Sequence, residues 1–220
     1  MSSPTMMPMS LEEIAQAVQG RLIAGTAAID TPVATSTFTD SRQIVEGSVF
    51  VAIAGERVDG HDYVSKVGAQ GAVAAIVDHE IDGAGVPQIV VEDTVLALGA
   101  LAKHNIERRR ALETPFTVIG ITGSVGKTTT KDLMKALLAH IGPTIAPVGS
   151  FNNEIGLPLT SLKVHAETRF LVAEMGANHV GEIANLTSLV PPDIAVVLKV
   201  GVAHLCLLYT SDAADELDGV

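Results

Sequence analysis

Apolar residues gather along this chain in short runs bounded by turn residues. Residues 22–24, 49–54, 72–77 and 89–91 are nearly continuous apolar stretches and predict strands, with 34–39 a further candidate. Helices are predicted over 11–19 and 64–70. Residues 94–110 predict a longer helix, with Asp93 or Thr94 as its N-cap. Its basic run Arg108, Arg109 and Arg110 reads as a solvated helix end that compensates the dipole. Glu113, Thr114 and Pro115 then break the pattern, which sets a domain boundary near 112 and separates a unit at 1–111 from one at 112–205.

The second unit reads as a strand at 116–121, a Gly-rich turn, a helix at 128–140, and strands at 170–175 and 194–200. In that helix Leu133 with Leu137, and Met134 with Leu138, recur at four-residue spacing and predict one apolar face. Strands alternating with helices predict an α/β chain: a small N-terminal α/β domain, then a central domain with a mostly parallel, doubly wound sheet. Ligands of such sheets bind at the carboxyl ends of the strands.

Composition narrows the class. The 220 residues are 47% hydrophobic and 18% charged, with 20 Gly, which fits a folded α/β protein and excludes disorder or a collagen-like repeat. A net charge of -11 argues against tight binding to nucleic acid, which needs clustered Lys and Arg. Residues 1–9 lack the basic and apolar regions of a secretory signal, and no apolar stretch is long enough to span a membrane. With Cys206 the single cysteine, the expected compartment is the cytoplasm.

The strongest chemical signal is Thr122-Gly123-Ser124-Val125-Gly126-Lys127-Thr128-Thr129, between a predicted strand and a predicted helix. Glycines let backbone N–H groups turn inward around phosphate oxygens, and the helix N-terminus adds its dipole. Lys127 can reach the β and γ phosphates, and Thr128 offers a hydroxyl to Mg²⁺. The position six before Lys127 is Ile121, so the match is to the short Gly-x-x-Gly-Lys-Thr core rather than the longer Walker form. Residues Gly123, Ser124, Val125, Gly126, Lys127, Thr128 and Thr129 are therefore the expected Mg-ATP loop.

Other candidates leave two readings each. Glu174 closes the run Phe170-Leu171-Val172-Ala173; it either faces the loop from the strand's carboxyl end, where it would hold Mg²⁺, or points to solvent. His204 follows the last strand and is either structural or a ligand at a third strand end. Asn152, Asn153, Asn178 and His179 are turn-formers or polar substrate clamps. In Asp40-Ser41-Arg42, Ser41 and Arg42 could hold a phosphate, or Arg42 could simply close a turn onto Asp40.

Together these residues resemble the Mur ligases, which build the peptide stem of bacterial cell-wall precursors, over about residues 11–205. The loop at Gly123 to Thr129 is similar to the family's phosphate loop, and Asp40-Ser41-Arg42 with Asp59-Gly60-His61 to its nucleotide-sugar domain. Asn152-Asn153-Glu154-Ile155-Gly156 and Glu174-Met175-Gly176-Ala177-Asn178-His179 resemble the member that adds D-alanyl-D-alanine. The resemblance implies ATP and Mg²⁺ as cofactors, and UDP-N-acetylmuramoyl-tripeptide and D-alanyl-D-alanine as substrates. It implies catalytic roles for Lys127 and His204, with Thr128 and Glu174 on one metal ion and His204 on a second. Ser41, Arg42, Asn153 and His179 would contact substrate.

The family's third domain, and its metal-holding lysine after the histidine loop, have no counterpart in the sequence. Residues 206–220 read as a translated transposase adapter and hence a non-native tail, so that 112–205 would be an incomplete central domain. Competing expectations are a ligase of the same family that adds diaminopimelate or lysine, and a nucleotide-binding module without ligase activity.

Overall fold

Ser10 starts the first helix: its Oγ accepts the Glu13 N–H at 3.1 Å, so α1 (Leu11–Ala17) follows directly on a two-residue strand, β1 (Met9–Ser10). The computed structural model describes residues 6–23, 33–199 and 201. After α1 come β2 (Arg21–Ile23), β3 (Val33–Ala34), β4 (Ser36–Phe38), β5 (Ser48–Val51), α2 (Val64–Val67), β6 (Ala72–Val77), β7 (Gln88–Val90) and α3 (Thr94–Arg110). β3 pairs antiparallel with β1. The other strands form one sheet in the order β2-β7-β6-β5-β4, parallel except for β2 against β7. Alternation along β5 sends Val49 and Val51 toward α1 and α3, and Phe50 to the opposite face against Val64 and Val67 of α2.

A second sheet follows from β8 (Thr117–Thr122), α4 (Lys127–Ala139), β9 (Thr144–Ile145), α5 (Gly156–Ser161), β10 (Phe170–Glu174), α6 (Glu182–Leu189) and β11 (Ile194–Val197). Its order is β11-β8-β10-β9 and all neighbours are parallel. Val118, Leu171 and Ala173 pack against Leu157 of α5 and Leu186 of α6, while Ile119, Ile121 and Val172 pack against Met134 and Leu138 of α4. Helices on both faces make this the doubly wound arrangement that the alternating pattern predicts.

Two expectations need correction. Leu133 and Leu137 are 61% and 68% exposed, so they do not share the buried face of Met134 and Leu138. Successive helical residues differ by about 100° in direction, and a flat sheet covers only one of the two stripes. The basic run of α3 is also not simply solvated. Arg109 is fully buried, donating to the carbonyls of Thr168, Thr114 and Pro115, while Arg110 donates to Pro191 O and Arg108 pairs with Glu13. Carbonyls left over where the chain turns between β-strands need donors, and these guanidinium forks supply them.

Helix α3 belongs to both sheets. Ala97, Leu98, Leu101 and Ala102 sit in the first core, and Ile106 one turn later sits in the second. Between them the buried Asn105 accepts the Met7 N–H and donates to Ser161 O and Val164 O, each at 3.0 Å.

Candidate functional site

Strand register brings the site together. Glu174 of β10 lies opposite Ile121 of β8, and Val197 of β11 lies opposite Thr122, so three parallel strands end side by side. The turn after β8 needs its glycines: Gly123 has φ +141° and Gly126 has φ +86°. A Cβ on Gly123 would also stand 2.8 Å from Leu198 Cβ. The turn is fastened to the chain beyond β11. Ser124 N–H donates to Lys199 O at 2.9 Å, and Ser124 Oγ accepts the Gly201 N–H at 2.9 Å.

Helix α4 begins at Lys127 with no side-chain cap among the described residues, so its first N–H groups and positive dipole end face the turn. Lys127 Nζ donates to Gly123 O at 2.7 Å, folded over the loop it would leave to reach a phosphate. Thr128 Oγ1 lies 3.3 Å from Glu174 Oε1, which also accepts from Asn152 Nδ2 at 2.9 Å. Glu174 is only 1% exposed, and its Oε2 has no hydrogen-bond partner among the described residues. Of the two readings of Glu174, solvent exposure is therefore ruled out. A buried carboxylate oxygen without a donor, beside a threonine hydroxyl, is the oxygen set a hard divalent cation takes.

Several partners here were not placed by sequence reasoning. Lys131, fully buried, donates to Pro147 O and Gly149 O and so holds the segment that presents Ser150 and Asn152 to the site. Gly176 lets Asn152 come close: a Cβ there would lie 2.8 Å from the Asn152 amide. A lysine four residues into the helix after a phosphate loop is the one local sign of the first of these.

The remaining candidates take separate positions. Arg42 folds onto Asp40, with Nε donating to Oδ1 at 2.9 Å and Nη2 to Oδ2 at 2.7 Å. The Arg42 side chain, and then its backbone N–H, hold the Asp40 carboxyl at about 2, below its ordinary 3.8. A cavity of about 430 Å³ runs from Thr39 and Asp40 to Phe151 and Lys163, between the first sheet and α5. Asn153 Oδ1 accepts the Gly156 N–H and so caps the start of α5. His179 is exposed and its Nδ1 lies 2.9 Å from Glu182 Oε1. The Asn178 N–H, then the His179 ring, draw the Glu182 carboxyl below its usual range. His204, the expected second metal ligand, lies outside the described residues.

A parallel, doubly wound sheet with a glycine loop, lysine and buried acid at its carboxyl edge defines a phosphate-loop α/β protein. The Mur ligase family catalytic domain matches residues 35–106, and the Mur ligase middle domain matches 121–213. The chain belongs to the Mur ligase family. It is 41% identical to the UDP-N-acetylmuramoyl-tripeptide--D-alanyl-D-alanine ligase of Mycobacterium tuberculosis, over 91% of this chain and 43% of that protein. The crystal structure of MurF from Acinetobacter baumannii superposes with a TM-score of 0.80 at 38% identity, over 92% of this chain and 43% of that one. MurF from Thermotoga maritima, solved in complex with ADP, gives a TM-score of 0.66 at 38% identity, over 77% and 38% of the two chains. The chain thus spans less than half the length of the relatives it matches. Among the described residues no helix is long and apolar enough to cross a membrane.

Proposed function

We propose that the chain supplies the nucleotide-sugar and ATP sites of a ligase that joins D-alanyl-D-alanine to UDP-N-acetylmuramoyl-tripeptide in the cytoplasm. The observation that carries the ATP half is the buried, unpartnered Glu174 Oε2 next to Thr128 at the mouth of the glycine loop. The substrates are those for which relatives near 40% identity are named, and the family's diaminopimelate-adding ligase is matched at only 21% identity, a likeness of fold alone.

In this reading the tripeptide's terminal carboxylate attacks the γ-phosphorus of ATP and ADP leaves, giving an acyl phosphate. The dipeptide's amine then attacks the acyl carbon, loses a proton, and expels phosphate to leave the amide. Lys127 leaves Gly123 O and neutralises charge on the transferring phosphoryl group, while the loop N–H groups and the α4 N-terminus hold its oxygens. Thr128 and Glu174 would hold one Mg²⁺ and His204 a second, and the ions would supply positive charge that offsets the phosphates. Ser41 and Arg42 hold the nucleotide-sugar end, and Asn153 and His179 contact the substrate. In the same reading the domain division falls near 112, and 206–220 is a non-native tail.

Calorimetric titration of the chain with ATP tests the core of this reading. Binding should require Mg²⁺ and weaken about ten- to hundredfold in Lys127→Ala, since a hydrogen bond to a charged group is worth roughly 1.5–3 kcal/mol. Glu174→Gln should bind ATP with a reduced response to Mg²⁺. Unchanged affinity in Lys127→Ala would sink the assignment. UDP-N-acetylmuramoyl-tripeptide should bind the same chain without ATP, and a preference for the acceptor of the diaminopimelate- or lysine-adding member would redirect it.

A further inference from the structure

We propose that His61, Asp78 and His79 bind one borderline divalent transition cation, of the zinc class, at the carboxyl edge of the first sheet. His61 lies in the turn following β5, and Asp78 and His79 leave the end of β6, so neighbouring parallel strands deliver all three to one point. One ligand atom from each lies within 4.8 Å of the others. His61 is buried, and Asp59 Oδ1 accepts its backbone N–H at 2.9 Å and lies 2.6 Å from its Nδ1. A carboxylate on Nδ1 keeps the proton there and leaves the lone pair on Nε2, the arrangement that orients metal-ligating histidines. Nε2 accepts the Asp78 N–H at 3.2 Å and also lies 3.2 Å from Asp78 Oδ1. Asp78 Oδ1 thus stands on the lone-pair side of the ring, where a cation that displaced the backbone N–H from Nε2 would meet both atoms. The His79 ring stacks on His61 with centroids 4.8 Å apart, and its Nδ1 makes a short contact with the same Asp78 oxygen. Two imidazoles and one carboxylate suit Zn²⁺ or Co²⁺, whereas the all-oxygen pair Thr128 and Glu174 suits Mg²⁺, so the two places select different ions. Bound metal would tie the turn after β5 to the end of β6.

The test is titration of the whole chain with Co²⁺ alone, followed by visible absorption, and with Zn²⁺, followed by ¹⁵N-edited NMR of the histidine rings. Cobalt should develop the absorption of nitrogen ligation, and zinc should shift His61 Nε2 while Nδ1 keeps its proton. His79→Ala, at a largely exposed ring, should weaken binding at least about tenfold, and Glu174→Gln should leave it unchanged. Because the ring resonances are read on the unmodified protein, an unstable variant leaves the test intact. Ring signals unmoved by zinc, or a His61 imidazolium that carries both protons at neutral pH and excludes metal, would overturn the proposal.

Discussion

Asp40 carries a guanidinium on both of its oxygens, and its titration is the simplest reporter of the turn after β4. Its carboxyl lies at about 2 in the folded chain against an ordinary 3.8. A group depressed in this way contributes stability above its unfolded value and loses it as pH falls through the folded one, so the pair opens on acidification from pH 3.8 toward about 2. The side chains are solvent-accessible, so the effect on global stability is small. Carbon-13 NMR of the carboxyl should place its midpoint near 2, and in Arg42→Ala the midpoint should return toward the ordinary value. A midpoint unmoved by that substitution would show that Arg42 is not the cause. Individual residues were legible in the sequence where their chemistry is local, as with Gly123, Gly126, Lys127 and Thr128. The roles of Asn152 and Lys131 were not, because their partners Glu174 and the Pro147 and Gly149 carbonyls lie 16 to 22 positions away.

At the level of elements, α4 does two jobs: its N-terminus ends the phosphate turn, and its first buried side chain, Lys131, pins the segment that carries Ser150 and Asn152. Lys131→Met keeps the stem but leaves two carbonyls without a donor, a loss of about 1–3 kcal/mol. Thermal unfolding should fall by several degrees, at roughly 2–4 °C per kcal/mol for a chain of this size, and ATP affinity should drop with it. Equal melting temperatures for variant and parent would mean the clamp carries no load. The long elements could be read in advance because their signals agree: Asp93 caps α3 through Val95 and Leu96 N–H, and β6, β8 and β10 are continuous apolar runs. Helix α5 was missed because it is six residues long and contains Gly156 and Pro158, both poor helix formers, and is held by burial instead. The two-residue strands β1, β3 and β9 carry no period at all.

At the scale of the molecule, β11 is an edge strand among the described residues with Ile194 and Val197 exposed, and Leu133, Leu137 and Ile141 are exposed along and just past α4. An open strand edge beside apolar side chains invites pairing with another copy. Light scattering should therefore find self-association that grows with concentration. Leu137→Lys should raise the monomer fraction while changing stability by no more than about 0.5 kcal/mol. A monodisperse parent chain would refute this. The shared helix α3 has a further consequence, for how such a chain can change over generations. Residues 97–102 serve one core, Ile106 and Arg109 serve the other unit, and Asn105 bridges the two. One residue inserted between those groups would rotate the second set by about 100° and unseat every bond it makes. Exposed side chains along α3, such as Lys103 and Glu107, are free to drift, but its length is not, so insertions and deletions should collect in the connections around Glu113 and be purged from the helix itself.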